Sequence, residues 1–193
     1  MERGFVLWTC WALFLGVVVA PMGAESEPAA LTVEEVAALY PTPEALACFL
    51  KREIDFKPDR QQFGKIDYWQ RPEELLVNRA GDCEDFALLA QAVLTHQGKE
   101  AFLLSIYGLE GDAHTVCVFV EEGRYSVMNQ DLLIRYQASS LEQLAWQVNP
   151  SWRWAAVALQ AGDRGRRVQE IHNPSPVTRH PSRRTDFSSF PFY

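Results

Sequence analysis

Residues 81–107 read GDCEDFALLAQAVLTHQGKEAFLLSIY, and the change of texture at Gly98 decides the fold class. From Cys83 to Gln97 the apolar residues fall at 86, 87, 89, 90, 93 and 94, which traces the inner face of an amphipathic helix. Gly98 is the expected stop. Beyond it, Ala101–Tyr107, His114–Val120 and Tyr125–Gln130 are rich in β-branched and aromatic residues and read as strands. Gly108–Ala113 and Glu121-Glu122-Gly123 supply the turns between them. Upstream, Thr32-Val33-Glu34-Glu35 forms a capping box for a helix to about Tyr40. Thr42-Pro43-Glu44 opens a second helix to about Glu53, and Arg71-Pro72-Glu73-Glu74 a third, stopped by Gly81. Lys57 to Trp69 shows no period and reads as loop. Ser139-Ser140-Leu141-Glu142 is a further capping box for a helix to about Val148, and Trp152–Leu159 reads as a closing strand. Helices followed by an antiparallel sheet make the class α+β, with a central helix packed on the sheet.

The 193 residues are 48% hydrophobic and 22% charged, a globular composition with room for one domain. A net charge of −7 argues against nucleic acid as a partner. The charge is uneven: residues 161–193 hold six arginines against three acids, while the body is acidic. Phe5 to Ala20 is a nearly unbroken apolar run, about 24 Å as a helix and short for a membrane span. It ends at Pro21-Met22-Gly23-Ala24, so residues 1–24 are read as a signal peptide cleaved after Ala24, with an uncleaved anchor as the alternative. No second such run follows, so no membrane span is expected in the mature domain. The expected organisation is therefore signal 1–24, a domain over 25–160, and a basic flexible tail over 161–193. The expected location is secreted or periplasmic, as a monomer.

Export places the cysteines in an oxidising compartment. Without Cys10 three remain, Cys48, Cys83 and Cys117, and an odd number leaves at least one thiol unpaired. Cys48, in an apolar helix stretch, and Cys117, within a strand, read as small buried residues, and a Cys48–Cys117 disulfide is an open alternative. Cys83 differs. It opens the longest helix, where unsatisfied N–H groups and the positive dipole end favour a thiolate and could hold an oxyanion. The charges of Asp82, Glu84 and Asp85 oppose this and raise the thiol pKa. A nucleophilic thiol needs a base. His96 is at the far end of the same helix, and His172 and His180 lie in the expected tail, which leaves His114 at the mouth of a strand. Alternation puts Asn129 and Asp131 on one face of the next strand, and either could orient the imidazole.

Tyr68-Trp69-Gln70-Arg71-Pro72-Glu73-Glu74-Leu75, followed by Arg79-Ala80-Gly81-Asp82-Cys83-Glu84-Asp85-Phe86-Ala87, resembles the transglutaminase-like superfamily. It is most similar to the bacterial transglutaminase-like cysteine proteinases of the periplasm. The resemblance covers about residues 65–135 and implies a papain/transglutaminase-like core. It also implies a triad of Cys83, His114 and Asn129, with asparagine standing where the family usually has aspartate. Trp69 matches a family tryptophan that lines the acyl cleft, and would bind substrate there, although a core aromatic fits the position equally. Some relatives bind calcium through acids beside the cysteine, and Asp82 and Glu84 match those positions. A helix cap with a solvated neighbour explains the same pair, and no cofactor is the expectation.

The reading is an exported cysteine hydrolase or acyltransferase acting on amide bonds of a protein or peptide through an acyl-enzyme. Two rivals remain. One is a non-catalytic module of the same fold that binds a peptide or cell-envelope partner. The other is an interaction protein working through its arginine tail on anionic lipid.

Overall fold

A computed structural model describes residues 30–109, 111–159 and 167–173. The helices are α1 (Val33–Leu39), α2 (Pro43–Glu53), α3 (Asp59–Gln62), α4 (Pro72–Asn78), α5 (Cys83–His96) and α6 (Leu141–Val148). Two short strands, β1 (Asp55–Phe56) and β2 (Ala80–Gly81), pair in parallel. Six more form one antiparallel sheet: β3 (Ala101–Gly108), β4 (Ala113–Glu121), β5 (Arg124–Asn129), β6 (Leu132–Arg135), β7 (Trp152–Leu159) and β8 (Arg167–His172), in the order β6-β5-β4-β3-β7-β8.

Alternation along the strands feeds two cores. Leu103, Cys117, Phe119 and Met128 face the layer that contains α1, α2, α4 and α5. Phe102, Leu104, Ile106, Val116, Val118 and Val127 face the other way, against Leu144 and Ala145 of α6 and against Trp152 and Ile171. The sheet is thus buried on both faces, which explains why its strands read as continuous apolar runs. Helix α5 lies between the sheet and the outer helices and is buried from Glu84 to Leu94 except at Ala92. Its C-terminal end is tied to α1 by Gln97, whose Nε2 donates to Tyr40 O at 2.8 Å. Gly98 turns the chain with φ 78. The β4–β5 hairpin closes through Glu122 and Gly123, both at positive φ, the two-residue turn that matches strand twist.

Several elements differ from expectation. The stretch 57–69 contains α3, and Asp55–Phe56 just before it pairs with β2; both are too short for periodicity to register. The cap of α6 is Ser140, one residue later than read; its side chain accepts from Gln143 N, while Gln143 Oε1 accepts from Ser139 N–H rather than from the cap, so no reciprocal box forms. Strand β6 and strand β8 were not foreseen, and β8 extends the sheet into the stretch assigned to a flexible tail. Cys48 is exposed, not buried, because it falls on the outer side of α2, and Cys48 and Cys117 are both free thiols rather than a disulfide. The expected signal, residues 1–24, and the tail residues 174–193 lie outside the described residues. Among the described residues no helix is long and apolar enough to cross a membrane.

Gly81 shows how tightly the start of α5 is built. A Cβ there would lie 2.5 Å from Asp85 Oδ2 and 2.8 Å from Leu75 Cδ1. Gly81→Ala should destabilise the fold by about 1–3 kcal/mol, measured as a lower urea midpoint at unchanged slope.

Candidate active site

Cys83 is the first residue of α5, with Asp82 as N-cap. Its sulfur is held from two sides. The thiol donates to Glu84 Oε2 at 3.1 Å, and the Thr115 N–H donates to the sulfur from β4. Burial pushes the Cys83 thiol up from its ordinary value; hydrogen bonds with the Thr115 N–H, the Glu84 side chain and the Glu84 N–H work against this, and the Asp82 charge adds to it. Burial is the largest of these influences, and the thiol is raised.

Thr115 is preceded by His114, so the α5–β4 contact brings the sulfur next to the residue that follows the histidine. His114 Nε2 lies 2.8 Å from Asn129 Oδ1. A side-chain carbonyl only accepts, so this bond fixes Nε2 as the donor and leaves Nδ1 as the basic nitrogen. Asn129 is the last residue of β5 and pairs with Leu132, which places Gln130 and Asp131 in the turn to β6. Gln130 takes φ 54, and the alternation that would have carried Asp131 onto the Asn129 face stops there. Of the two candidates it is Asn129 that meets the histidine. Among the described residues no hydrogen bond joins Cys83 to His114. Trp69 is partly buried against the core on the α5 side of the sheet.

A group of acids surrounds the thiol, and the sequence suggested only part of it. Asp82, Cys83 and Glu84 form one set of potential ligand atoms within 4.8 Å of one another; Asp59, Asp82 and Asp85 form a second, and Asp59, Asp67 and Glu84 a third. Asp59 is 2% exposed; it accepts the Tyr68 N–H and donates its own N–H to Asp82 Oδ2 at 3.4 Å. Asp59 and Asp67 come from the stretch read as loop, and no local signal linked them to Cys83. Burial, with the Asp82 charge second, pushes Asp59 up to about 6. Burial pushes Asp85 up to about 7 despite N–H donors from Gln70 and Asp82. Glu84 is raised far above the usual carboxylate range, first by burial and then by Asp82 and Cys83, and so stands protonated. Tyr107 lies on the same side of the sheet. Burial raises its hydroxyl to about 12 with Asp67 and Glu84 adding, and its ring stacks on Trp154 at 3.8 Å.

A family model described as bacterial transglutaminase-like cysteine proteinase matches residues 22–160. Among solved structures, calcium-bound LapG of Legionella pneumophila is similar at 19% identity and a TM-score of 0.45, covering 65% of this chain and 74% of that one. The EGTA-treated form of the same protein gives 19% and 0.45, covering 68% and 75%. A search of curated proteins gave no match.

The raised acids set a pH dependence. Asp59 and Asp85 have an ordinary value of 3.8 and titrate near 6 and 7 in the folded chain. Between those limits the native state binds more protons than the unfolded one, so stability falls as pH rises and levels off above about pH 7. In the absence of divalent cations the melting temperature should be several degrees higher at about pH 5 than at about pH 8. Asp59→Asn should flatten that slope in a thermal-shift series.

Proposed function

The chain belongs to the bacterial transglutaminase-like cysteine proteinases, and from that premise we propose that it is an exported thiol peptidase in which Cys83, His114 and Asn129 act on an amide bond of a protein substrate. The observation that carries the reading is the 2.8 Å contact between His114 Nε2 and Asn129 Oδ1 on strands adjoining the thiol. Asn129 holds the ring so that Nδ1 takes the Cys83 proton. The thiolate then attacks the carbonyl carbon, and the Cys83 N–H at the start of α5 helps hold the oxyanion. His114 returns the proton to the leaving amine, and an acyl-enzyme remains. Water resolves it in hydrolysis; an amine would resolve it in acyl transfer. Trp69 would form a wall of the acyl cleft. Export would depend on residues 1–24 and would place the enzyme outside the cytoplasm.

The acids fit a hard divalent cation such as calcium. Asp59, Asp67, Asp82 and Glu84 offer only oxygen donors, and Asp59 Oδ1 and Asp82 Oδ1 are buried without a hydrogen-bond partner. Bound by these residues, calcium would supply positive charge where burial and Asp82 now raise the thiol pKa. Asp59, Asp67, Asp82 and an ionised Glu84 would be the residues that hold the cation.

The protonated thiol and its bond to Glu84 also favour a second reading, a binding module of the same fold. Turnover separates the two. With labelled casein as the probe, Cys83→Ser and His114→Ala should each lower cleavage on the order of 10³-fold or more. Asn129→Ala should cost roughly 10²-fold, while Asn129→Asp retains activity. Full activity in the serine variant would refute the mechanism. Calcium should raise the melting temperature at about pH 8, and Asp59→Asn should abolish that rise while the chain still folds.

A further inference from the structure

Gln70 is fully buried, at 0% exposure, and nothing in the proposed chemistry uses it. It joins four segments of the chain. Its N–H donates to Asp85 Oδ1 at 2.7 Å and its Nε2 to Asp85 Oδ2 at 2.7 Å. The same Nε2 donates to Ala80 O at 2.9 Å, and its Oε1 accepts from Asn78 Nδ2 at 2.7 Å. The loop carrying Trp69, the end of α4, strand β2 and the first turn of α5 thus meet at one amide. Asp85, also at 0% exposure, passes the constraint on, since its Oδ2 accepts the N–H of Asp82, the N-cap, at 3.1 Å. Cys83 lies between Asp82 and Asp85.

We propose that Gln70 is a positioning residue for the nucleophile: clamped by Asn78, it holds Asp85 and with it the first turn of α5, so that Cys83 keeps its place at the start of the helix. The amide is polarised in one direction only. Oε1 must face Asn78, the donor, and Nε2 must face Asp85 and Ala80, the acceptors. Asn78 is exposed, so the orientation of a buried amide is set from the surface. An aspartate at 78 has no N–H to give. It would draw Nε2 toward itself and turn Oε1 against the Asp85 carboxylate, withdrawing the side-chain donor from α5. The inference rests on Cys83 being the nucleophile.

The three cysteines provide the test, because they differ in exposure: Cys48 exposed, Cys83 half-buried, Cys117 buried. Full-length wild type, Gln70→Met and Asn78→Asp are alkylated with iodoacetamide at about pH 7.5, and each site is followed by mass spectrometry. The clamp predicts a fall of about five- to tenfold in the Cys83 rate in both variants, with Cys48 unchanged and Cys117 still unlabelled. Asn78→Ala, which removes the donor without offering an acceptor, should give a smaller fall. An unchanged Cys83 rate overturns the proposal. So does labelling of Cys117 in step with the change at Cys83, since general loosening of the core would then account for the effect. Should Gln70→Met fail to fold, the exposed Asn78→Asp substitution decides alone. Failure of wild type to cleave labelled casein would count against the catalytic reading instead, and the variant-to-wild-type ratio would still report the clamp.

Discussion

A carboxylate with no exposure at the start of the central helix is the constraint from which the rest of the site follows. Asp85 cannot be buried without donors, and the structure surrounds it with the N–H of Gln70, the side-chain amide of Gln70 and the N–H of Asp82. Those three bonds fix the loop before α4 and the cap of α5 against one another. They also leave no room for a side chain at residue 81, where a Cβ would enter the carboxylate itself. Glycine at 81, glutamine at 70 and aspartate at 85 are therefore one requirement expressed at three positions.

That arrangement places the Cys83 thiol where a negative charge is disfavoured. The N-terminus of α5 favours a thiolate, yet Asp59, Asp82, Glu84 and Asp85 crowd the same space, and burial raises Asp59, Glu84, Asp85 and Cys83 alike. Burial is the largest influence on the Cys83 thiol and raises it from its ordinary value, and the thiol donates to Glu84. Reactivity in such a site calls for a base brought in from elsewhere in the chain, for added positive charge, or for both. In the proposed mechanism that base is His114, whose side chain meets that of Asn129 from the adjacent strand.

The sheet does this by register. Cys117 pairs with Met128 and Asn129 with Leu132, so the ends of β4 and β5 close over the same edge. The two-residue turn after Asn129 removes Asp131 from the strand. An alternation count alone would have kept both residues on one face.

What could be read from the chain was whatever local rules govern. The capping box of α1, the period of α5, the stop at Gly98 and the strands on either side of Glu122-Gly123 all follow from residues a few positions apart. The α+β class and the single distinctive thiol followed with them. Asp59 and Asp67, the burial of Gln70, the exposure of Cys48 and the pairing of β8 with β7 could not be read in this way. Each depends on which surfaces meet after residues far apart in sequence pack together, and desolvation and hydrogen-bond partners exist only once they do. The sequence by itself determined the longer helices, the central strands and which thiol stands apart from the others. Tertiary structure decided which acids surround that thiol and that Asn129, not Asp131, meets His114, because burial and register are set by contacts across space.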